Sequence, residues 1–390
     1  FVRDLTAGVT TLASININRT SSGNGPSESP SITPDARFLV FVSSATDLVS
    51  RPGESLGGIY LRDFLTGTTT WISSEIANIT KDRLRPSDAF ISGNGRYVAF
   101  GASSVSTNIK AFAFCRDLQT GDTKLIQSAG LVRVAGISAD GQHVLFESDG
   151  SIFVWDSQTA TNSLVSVNHN GSGPANGQSQ SPVMSENGRF VLFLSNSRDV
   201  VENASGGNFQ LYLRDLLAGT TKLISLNRVG LPSEDLSYTS PSIAADGRFV
   251  VFDSVDDNMV ADDRNRESDI LLRDLVAGST ELVSPRDERL PTLTGDNSTS
   301  MGGSFFDHIV NILGDDSRFV AFKSNAANLV TNDFDKLNDA FVYDAFTGRN
   351  ALVSVKTNGV AEGVTSLGVG DRIQISANGR IVLFASNKSG

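Results

Sequence analysis

Short runs of apolar residues recur along the chain, and each run follows the same kind of polar turn. Residues 240–254, SPSIAADGRFVVFDS, contain one copy: a first strand, the turn ADGR and the apolar run FVVF. Asp or Asn followed by Gly, as in most copies, supplies the positive φ that a tight hairpin requires. A run that is apolar at successive positions predicts a strand buried on both faces. The turn occurs at 34–37, 93–96, 139–142, 186–189, 245–248, 315–318 and 377–380.

A second turn signature lies between successive copies of the first. Most of its copies read R-D-L-x-[TA]-G or a close variant; the residues before it alternate as a strand, and another strand follows its Gly. The Asp of this signature can accept hydrogen bonds from turn amides. Each unit therefore contains four strands, and no segment shows helical periodicity. The copies lie at 3–8, 62–67, 116–121, 155–160, 214–219, 273–278 and 343–348.

Units of four strands that repeat every 39 to 70 residues predict an all-β protein, a β-propeller. The chain begins with the second half of a unit and ends with the first half of one. We therefore expect seven blades of four antiparallel strands, one of which is shared between residues 1–15 and 365–390. Pairing of the N- and C-terminal strands in that blade would remove two exposed sheet edges.

On this interpretation residues 1–390 form a single domain. Because the sequence opens at Phe1 inside a strand pattern, we expect the domain to be a fragment of a longer protein. The alternative is a segment of a longer tandem array that does not close into a ring.

The phrase S-P-x-I-S-x-D-G-R-x-V-x-F-x-S, followed by D-I-x-x-R-D-L-x-T-G-x-T, resembles the WD-like repeats of TolB-type β-propellers. The resemblance covers nearly the whole chain. It implies an exported bacterial protein, in the periplasm, at the cell surface or outside the cell. Such propellers serve as binding platforms, as accessory domains of peptidases and, in some relatives, as polysaccharide lyases, so that the fold alone does not assign a function.

Composition narrows the possible partners. The net charge of −11 and a pI near 4.8 disfavour nucleic acid. No apolar run approaches the roughly 20 residues that cross a bilayer, so we expect no transmembrane segment. The single cysteine, Cys115, excludes an internal disulfide and is expected to be a buried, inert thiol.

The two tight turns of a blade should lie on one face of the disc, which leaves the longer connections on the other. Binding residues tend to lie on loops held by a rigid scaffold, so this second face and the mouth of the central channel are the expected site. His308, Tyr238 and Arg228 come from its loops. They could serve as the base and the charge-neutralising group of a lyase.

Two acidic connections could hold calcium. NMVADDRNRESDI and NLVTNDFDKLNDA align without gaps, and calcium prefers six to eight oxygen ligands. The alternative is a solvated acidic loop whose Asp and Asn side chains make turn hydrogen bonds. The aligned pairs are Asp263 with Asp333, Asn265 with Asp335, and Asp269 with Asp339.

No residue is assigned a catalytic role by the sequence. None of the three histidines has a metal-ligand spacing to another, and GESLG at 53–57 is not followed by a helical pattern, as a nucleophile elbow would be. We therefore expect a non-catalytic, exported propeller whose long-loop face binds a protein or glycan. The alternatives are a polysaccharide lyase or hydrolase with its site at the channel mouth, and a structural building block of a surface assembly.

Overall fold

Most of the chain is described by a computed structural model. It covers residues 1–4, 7–50, 56–105, 110–202, 207–233, 236, 241–261, 268–290, 311–312, 318–333, 338–355, 373–375 and 381–383. Among these residues, no helix is long and apolar enough to span a membrane. One short helix, α1 (Ile76–Thr80), joins two blades, and every other regular element is a strand.

Six blades are each built from four consecutive strands that pair antiparallel with their neighbours in chain order. Blade 1 contains β3 (Ser27–Ile32), β4 (Phe38–Ser43), β5 (Gly58–Asp63) and β6 (Thr68–Trp71); blade 2 contains β7 (Leu84–Ile91), β8 (Tyr97–Ser104), β9 (Ala111–Asp117) and β10 (Thr123–Ala129); blade 3 contains β11 (Val132–Ile137), β12 (His143–Ser148), β13 (Ser151–Asp156) and β14 (Thr161–Leu164); blade 4 contains β15 (Ser179–Met184), β16 (Phe190–Ser195), β17 (Gln210–Asp215) and β18 (Thr220–Leu223); blade 5 contains β19 (Ser242–Ile243), β20 (Phe249–Ser254), β21 (Asp269–Asp274) and β22 (Ser279–Leu282); blade 6 contains β23 (Asn311–Ile312), β24 (Phe319–Ser324), β25 (Asp339–Asp344) and β26 (Arg349–Leu352).

Strands from the two ends of the chain form a separate closing sheet. Its strands are β1 (Val2–Asp4), β2 (Val9–Thr11), β27 (Gln374–Ile375) and β28 (Ile381–Leu383), in the order β2-β1-β28-β27. β1 and β28 pair antiparallel, with Arg3 opposite Val382.

The prediction of seven blades is therefore wrong and is corrected. The structure has six blades of four consecutive strands, and the sheet that closes the ring is a composite of two- and three-residue strands. The sequence predicted the larger number because the half-units at the two ends of the chain were counted together as a seventh blade. The all-β propeller of four-stranded antiparallel blades is the architecture observed.

Apolar side chains fill the spaces between adjacent sheets. The first strands of neighbouring blades contact one another, so these strands surround the central axis. The closing sheet packs against blade 6 through Val382 and Val342 and against blade 1 through Val2 and Phe41. Because each blade is covered on both sides, its central strands are apolar at successive positions.

Both tight turns of a blade lie on one face of the ring. In blade 5 the turn between β19 and β20 and the turn between β21 and β22 close antiparallel hairpins at the same end. The connections from the second to the third strand, and from one blade to the next, lie on the opposite face. We call this the long-connection face, and the other the tight-turn face.

Candidate functional site

The structure does not bring together the three predicted binding residues. His308 and Tyr238 lie outside the described residues. Arg228 is exposed in the connection from blade 4 to blade 5, where its backbone N–H donates to the carbonyl of Asn258 at 3.1 Å.

Three of the six predicted calcium ligands, Asp263, Asn265 and Asp335, also lie outside the described residues. Asp333 is buried in the connection before β25. Asp269 and Asp339 are buried at the starts of β21 and β25, where each accepts a hydrogen bond from a serine hydroxyl, Ser284 at 2.8 Å and Ser354 at 2.5 Å. Within the described ranges, no three His, Cys, Asp or Glu side chains are placed to hold a metal ion. Calcium binding remains a prediction.

In four blades the connection after the second strand folds back against the blade instead of projecting into solvent. We call these segments wedges: residues 44–50, 196–202, 255–261 and 325–331. Each starts where a backbone N–H donates to the hydroxyl of the last serine of the strand, as Ala45 does to Ser43 at 3.1 Å and Ala326 to Ser324 at 3.1 Å. Each then buries an apolar side chain: Leu48, Val200, Met259 and Leu329.

The connections between blades are held on these wedges by one repeated backbone hydrogen bond. Sequence reasoning treated both segments as variable loops, although S-x-x-x-[DN]-[LVM]-V recurs after the second strand in all four blades. The bonds join Ile17 N–H to Asp47 O at 2.8 Å, His169 to Asp199 at 2.6 Å, Arg228 to Asn258 at 3.1 Å, and Asp287 to Asn328 at 2.9 Å. On the long-connection face, the interblade loops are therefore held in place by hydrogen bonds to the wedges.

Three of these interblade connections share a turn capped by an asparagine. The side-chain oxygen of Asn16 accepts the N–H of Thr20 at 3.0 Å, that of Asn168 accepts Ser172 at 3.0 Å, and that of Asn227 accepts Leu231 at 3.1 Å. The residue three positions after the asparagine has a positive φ, which favours glycine. It is Gly171 (φ 72°) and Gly230 (φ 79°) in two copies but Arg19 (φ 58°) in the first.

Arg19 borders a cavity of about 340 Å³ at the rim of blade 1. Its Nη2 donates to the carbonyl of Gly67 at 2.8 Å, and Nη1 of Arg62 donates to the same carbonyl at 2.9 Å. Burial lowers the pKa of Arg62, and the neighbouring positive charge of Arg19 lowers it further. The two guanidinium groups lie side by side on one carbonyl oxygen even though their positive charges repel each other. Sequence reasoning missed this pair because 43 positions separate the two arginines in a chain without helical periodicity.

A second cluster of polar residues links blades 2, 3 and 4. Arg133 lies directly opposite Glu147 in the β11–β12 pair, and its Nε is 3.5 Å from Oδ2 of Asp88 in blade 2. Oε1 of Glu147 accepts the N–H of Ser181 in blade 4 at 2.7 Å. Burial raises the pKa of Glu147, while the charge of Arg133 opposes this shift. Arg133 and Glu147 lie near the long-connection ends of β11 and β12.

No protein-family model and no curated protein matches the chain. Several solved structures share its fold. The β-propeller domain of the Trilobed protease from Pyrococcus furiosus is 12% identical over 90% of this chain and 87% of that chain, with a TM-score of 0.51. An oligogalacturonate lyase in complex with manganese is 10% identical over 83% of this chain and 78% of that chain, with a TM-score of 0.50.

TolB from Acinetobacter baumannii is 19% identical over 72% of this chain, with a TM-score of 0.39, and the match spans 61% of that protein's length. TolB is thus among the similar structures, and the β-propeller that the resemblance implied is the fold observed. At these identities the comparisons establish the β-propeller fold alone.

Proposed function

We propose that the chain is an exported binding propeller that takes a protein partner on its long-connection face. One observation carries this proposal: the hydrogen-bonded loops of that face expose apolar side chains at their tips. Leu131, Val229 and Leu231 are 71%, 69% and 60% exposed. A preformed loop loses little conformational freedom on binding, and apolar groups at its tip supply the contact area.

The tight-turn face offers a matched comparison because it also exposes apolar residues. Leu217, Val276 and Phe346 lie at the tips of turns between third and fourth strands and are 79%, 78% and 85% exposed. Each of these turns exposes one large apolar side chain, as scattered surface residues do in many proteins, whereas the connection before blade 5 exposes both Val229 and Leu231. We therefore assign the partner to the opposite face.

The experiment compares two double variants, Val229→Glu/Leu231→Glu on the long-connection face and Leu217→Glu/Val276→Glu on the tight-turn face. Each is used to capture proteins from an extract of the producing cell, followed by quantitative mass spectrometry. We expect a protein enriched by the wild-type chain to be lost with the first variant and kept with the second. Loss with the second variant only would contradict the proposal, as would binding on a glycan array with no protein captured.

A second candidate, a polysaccharide lyase, is favoured by the pair Arg133 and Glu147. A lyase needs a general base and a cation that neutralises a sugar carboxylate. Glu147, whose pKa is raised by burial, and Arg133, which lies opposite it in the β11–β12 pair, would supply these two groups. Incubation with uronic-acid polysaccharides should then produce unsaturated ends that absorb in the ultraviolet. No increase in absorbance across such a panel would remove this candidate.

A further inference from the structure

The cavity beside blade 1 combines two cations with both apolar and hydroxyl-bearing walls. Ile17, Leu48 and Val49 contribute the apolar surface, and Ser50, Thr68 and Thr69 contribute hydroxyl groups. Its volume of about 340 Å³ lies within the range of small-molecule sites. The walls come from the connection before blade 1, the wedge 44–50 and the strands β5 and β6. The hydrogen bond between Ile17 and Asp47 joins the connection to the wedge.

The two arginines of this cavity differ in their partners from the arginines of the tight turns. On the tight-turn face an Arg is bound to an Asp in five blades, for example Arg189 to Asp215 at 2.7 Å. Neither Arg19 nor Arg62 has a carboxylate partner among the residues that the structure describes. Asp63, the acidic neighbour of Arg62, is bound instead to Arg37 at 3.1 Å.

The repeats themselves show which feature is special to this cavity. Arg214 in blade 4 corresponds to Arg62; both donate to a threonine hydroxyl, and both have a buried Nε without a hydrogen-bond partner. That feature therefore belongs to the repeat. The guanidinium of Arg19 does not belong to the repeat, because glycine occupies the position of Arg19 in the connections that precede blades 4 and 5.

Arg19 thus has a backbone conformation that disfavours side chains, and it brings a second positive charge next to Arg62. A guanidinium presents five N–H donors in a planar fork that matches a carboxylate. In the described part of the chain, Arg19 donates to protein atoms only through Nη2. Arg62 does so only through Nη1. We therefore assign the other Nη group of each guanidinium to the ligand.

We propose that this cavity is a binding site for a carboxylate carried on an apolar or hydroxylated body about the size of one amino acid or one sugar. The carboxylate would lie between the guanidinium groups of Arg19 and Arg62, and its body would contact Leu48, Val49 and the threonines. The volume and the apolar walls favour such a ligand over a bare inorganic anion. The site lies at the rim of blade 1 and does not depend on the function proposed above.

The test is calorimetric titration of the intact chain with two carboxylates, each paired with its neutral counterpart. N-acetylleucine is compared with N-acetylleucinamide, and glucuronate with glucose. We expect one carboxylate to bind saturably and its neutral counterpart not to bind, and the carboxylate that binds distinguishes a peptide source from a sugar source. Inorganic phosphate is titrated as the competing anion.

The decisive variant is Arg19→Gly, because glycine already occupies this position in the sister connections and the fold should be retained. We expect it to weaken binding at least tenfold, in keeping with the loss of a charge-assisted hydrogen bond. Arg62→Gln should also weaken binding, whereas Arg198→Gln, at an exposed position in the wedge of blade 4, should not. An unchanged affinity in Arg19→Gly would overturn the proposal. Tighter binding of phosphate than of either carboxylate would also overturn it. The same holds if neither carboxylate binds saturably.

Discussion

The glycine of the first turn joins adjacent blades on the tight-turn face. Gly247 has a φ of 76°, and a Cβ atom added to it would lie 2.3 Å from the ring of Phe190 in the preceding blade. Arg189 lies over the same ring, with its Cζ 4.7 Å from the ring centroid, and also binds Asp215. The repeated sequence D-G-R-F therefore packs against the adjacent blade as well as forming a hairpin turn.

Gly247→Ala should destabilise the protein by about 2–5 kcal/mol, because it adds about 1–2 kcal/mol for the left-handed backbone to about 1–3 kcal/mol for overpacking. Gly278→Ala is the matched control, since Gly278 has a φ of 71° but no atom within 4 Å of an added Cβ. Only the backbone cost should then remain. Urea unfolding measures both, and equal losses of stability would contradict the role assigned to the ring contact.

Glu147 should make stability depend on pH. Burial raises its folded-state pKa above the ordinary value of 4.5, so its contribution is most favourable below pH 4.5 and is lost as the pH rises through the folded value. Glu147→Gln keeps an oxygen that can accept the N–H of Ser181. Its melting temperature should therefore increase relative to wild type between pH 4.5 and neutrality.

The exposed Glu202 supplies the control for this pH series, because Glu202→Gln changes the same charge without the burial. Its difference from wild type should stay nearly constant over the same range. If the two variants show the same pH profile, burial of Glu147 is not the cause of the effect.

Strands and turns could be predicted from the sequence because both depend on nearby residues. Alternating or continuous apolar positions define strands, and Asp-Gly or Asn-Gly pairs define hairpins. The wedges could not be predicted in the same way, since they are stabilised by burial against a neighbouring sheet. Leu48, for instance, packs with Val2 and Ala13 of the chain's first residues.

The same distinction applies to the candidate site. Residue types and loop positions nominated His308, Tyr238 and Arg228, but the cavity beside blade 1 depends on contacts that no local pattern encodes. Arg19 reaches the carbonyl of Gly67, which is 48 residues further along the chain. Alignment of the repeats could have revealed one signal, the arginine at position 19 where the sister turns have glycine.

Leu329→Ala tests whether the wedges stabilise the ring. Leu329 is 2% exposed and packs in a cluster shared by blades 5 and 6, so its truncation should cost about 2–5 kcal/mol. Leu217→Ala removes the same atoms from a side chain that is 79% exposed and should change stability little. If urea unfolding shows that Leu329→Ala is as stable as Leu217→Ala, the wedge does not contribute to the core.

At the scale of the whole molecule, the ring depends on a sheet that neither end of the chain can form alone. The sequence indicated that the two ends pair, and β1 does pair with β28. It overestimated the number of blades because it counted the half-units at the two ends as one further blade. The closing sheet covers apolar faces of both blade 6 and blade 1, so its loss would expose both.

A disulfide across this sheet should stabilise the ring. Val2 and Leu383 are opposite each other in the β1–β28 pair, and opposite residues of antiparallel strands have Cα atoms about 4.5–5.5 Å apart, which a disulfide can span. The double variant Val2→Cys/Leu383→Cys should form the bond on oxidation. Because the bond closes a very long loop of the unfolded chain, it should add about 2–4 kcal/mol.

The native thiol should not interfere, because Cys115 is buried and burial raises its pKa to about 12, which suppresses the reactive thiolate. Comparing the oxidised double variant with its own reduced form cancels the effect of the two substitutions themselves. A higher melting temperature after oxidation would show that pairing of the two ends limits opening of the ring. If the disulfide does not form, or forms without raising the melting temperature, the ring is not held closed by this pairing.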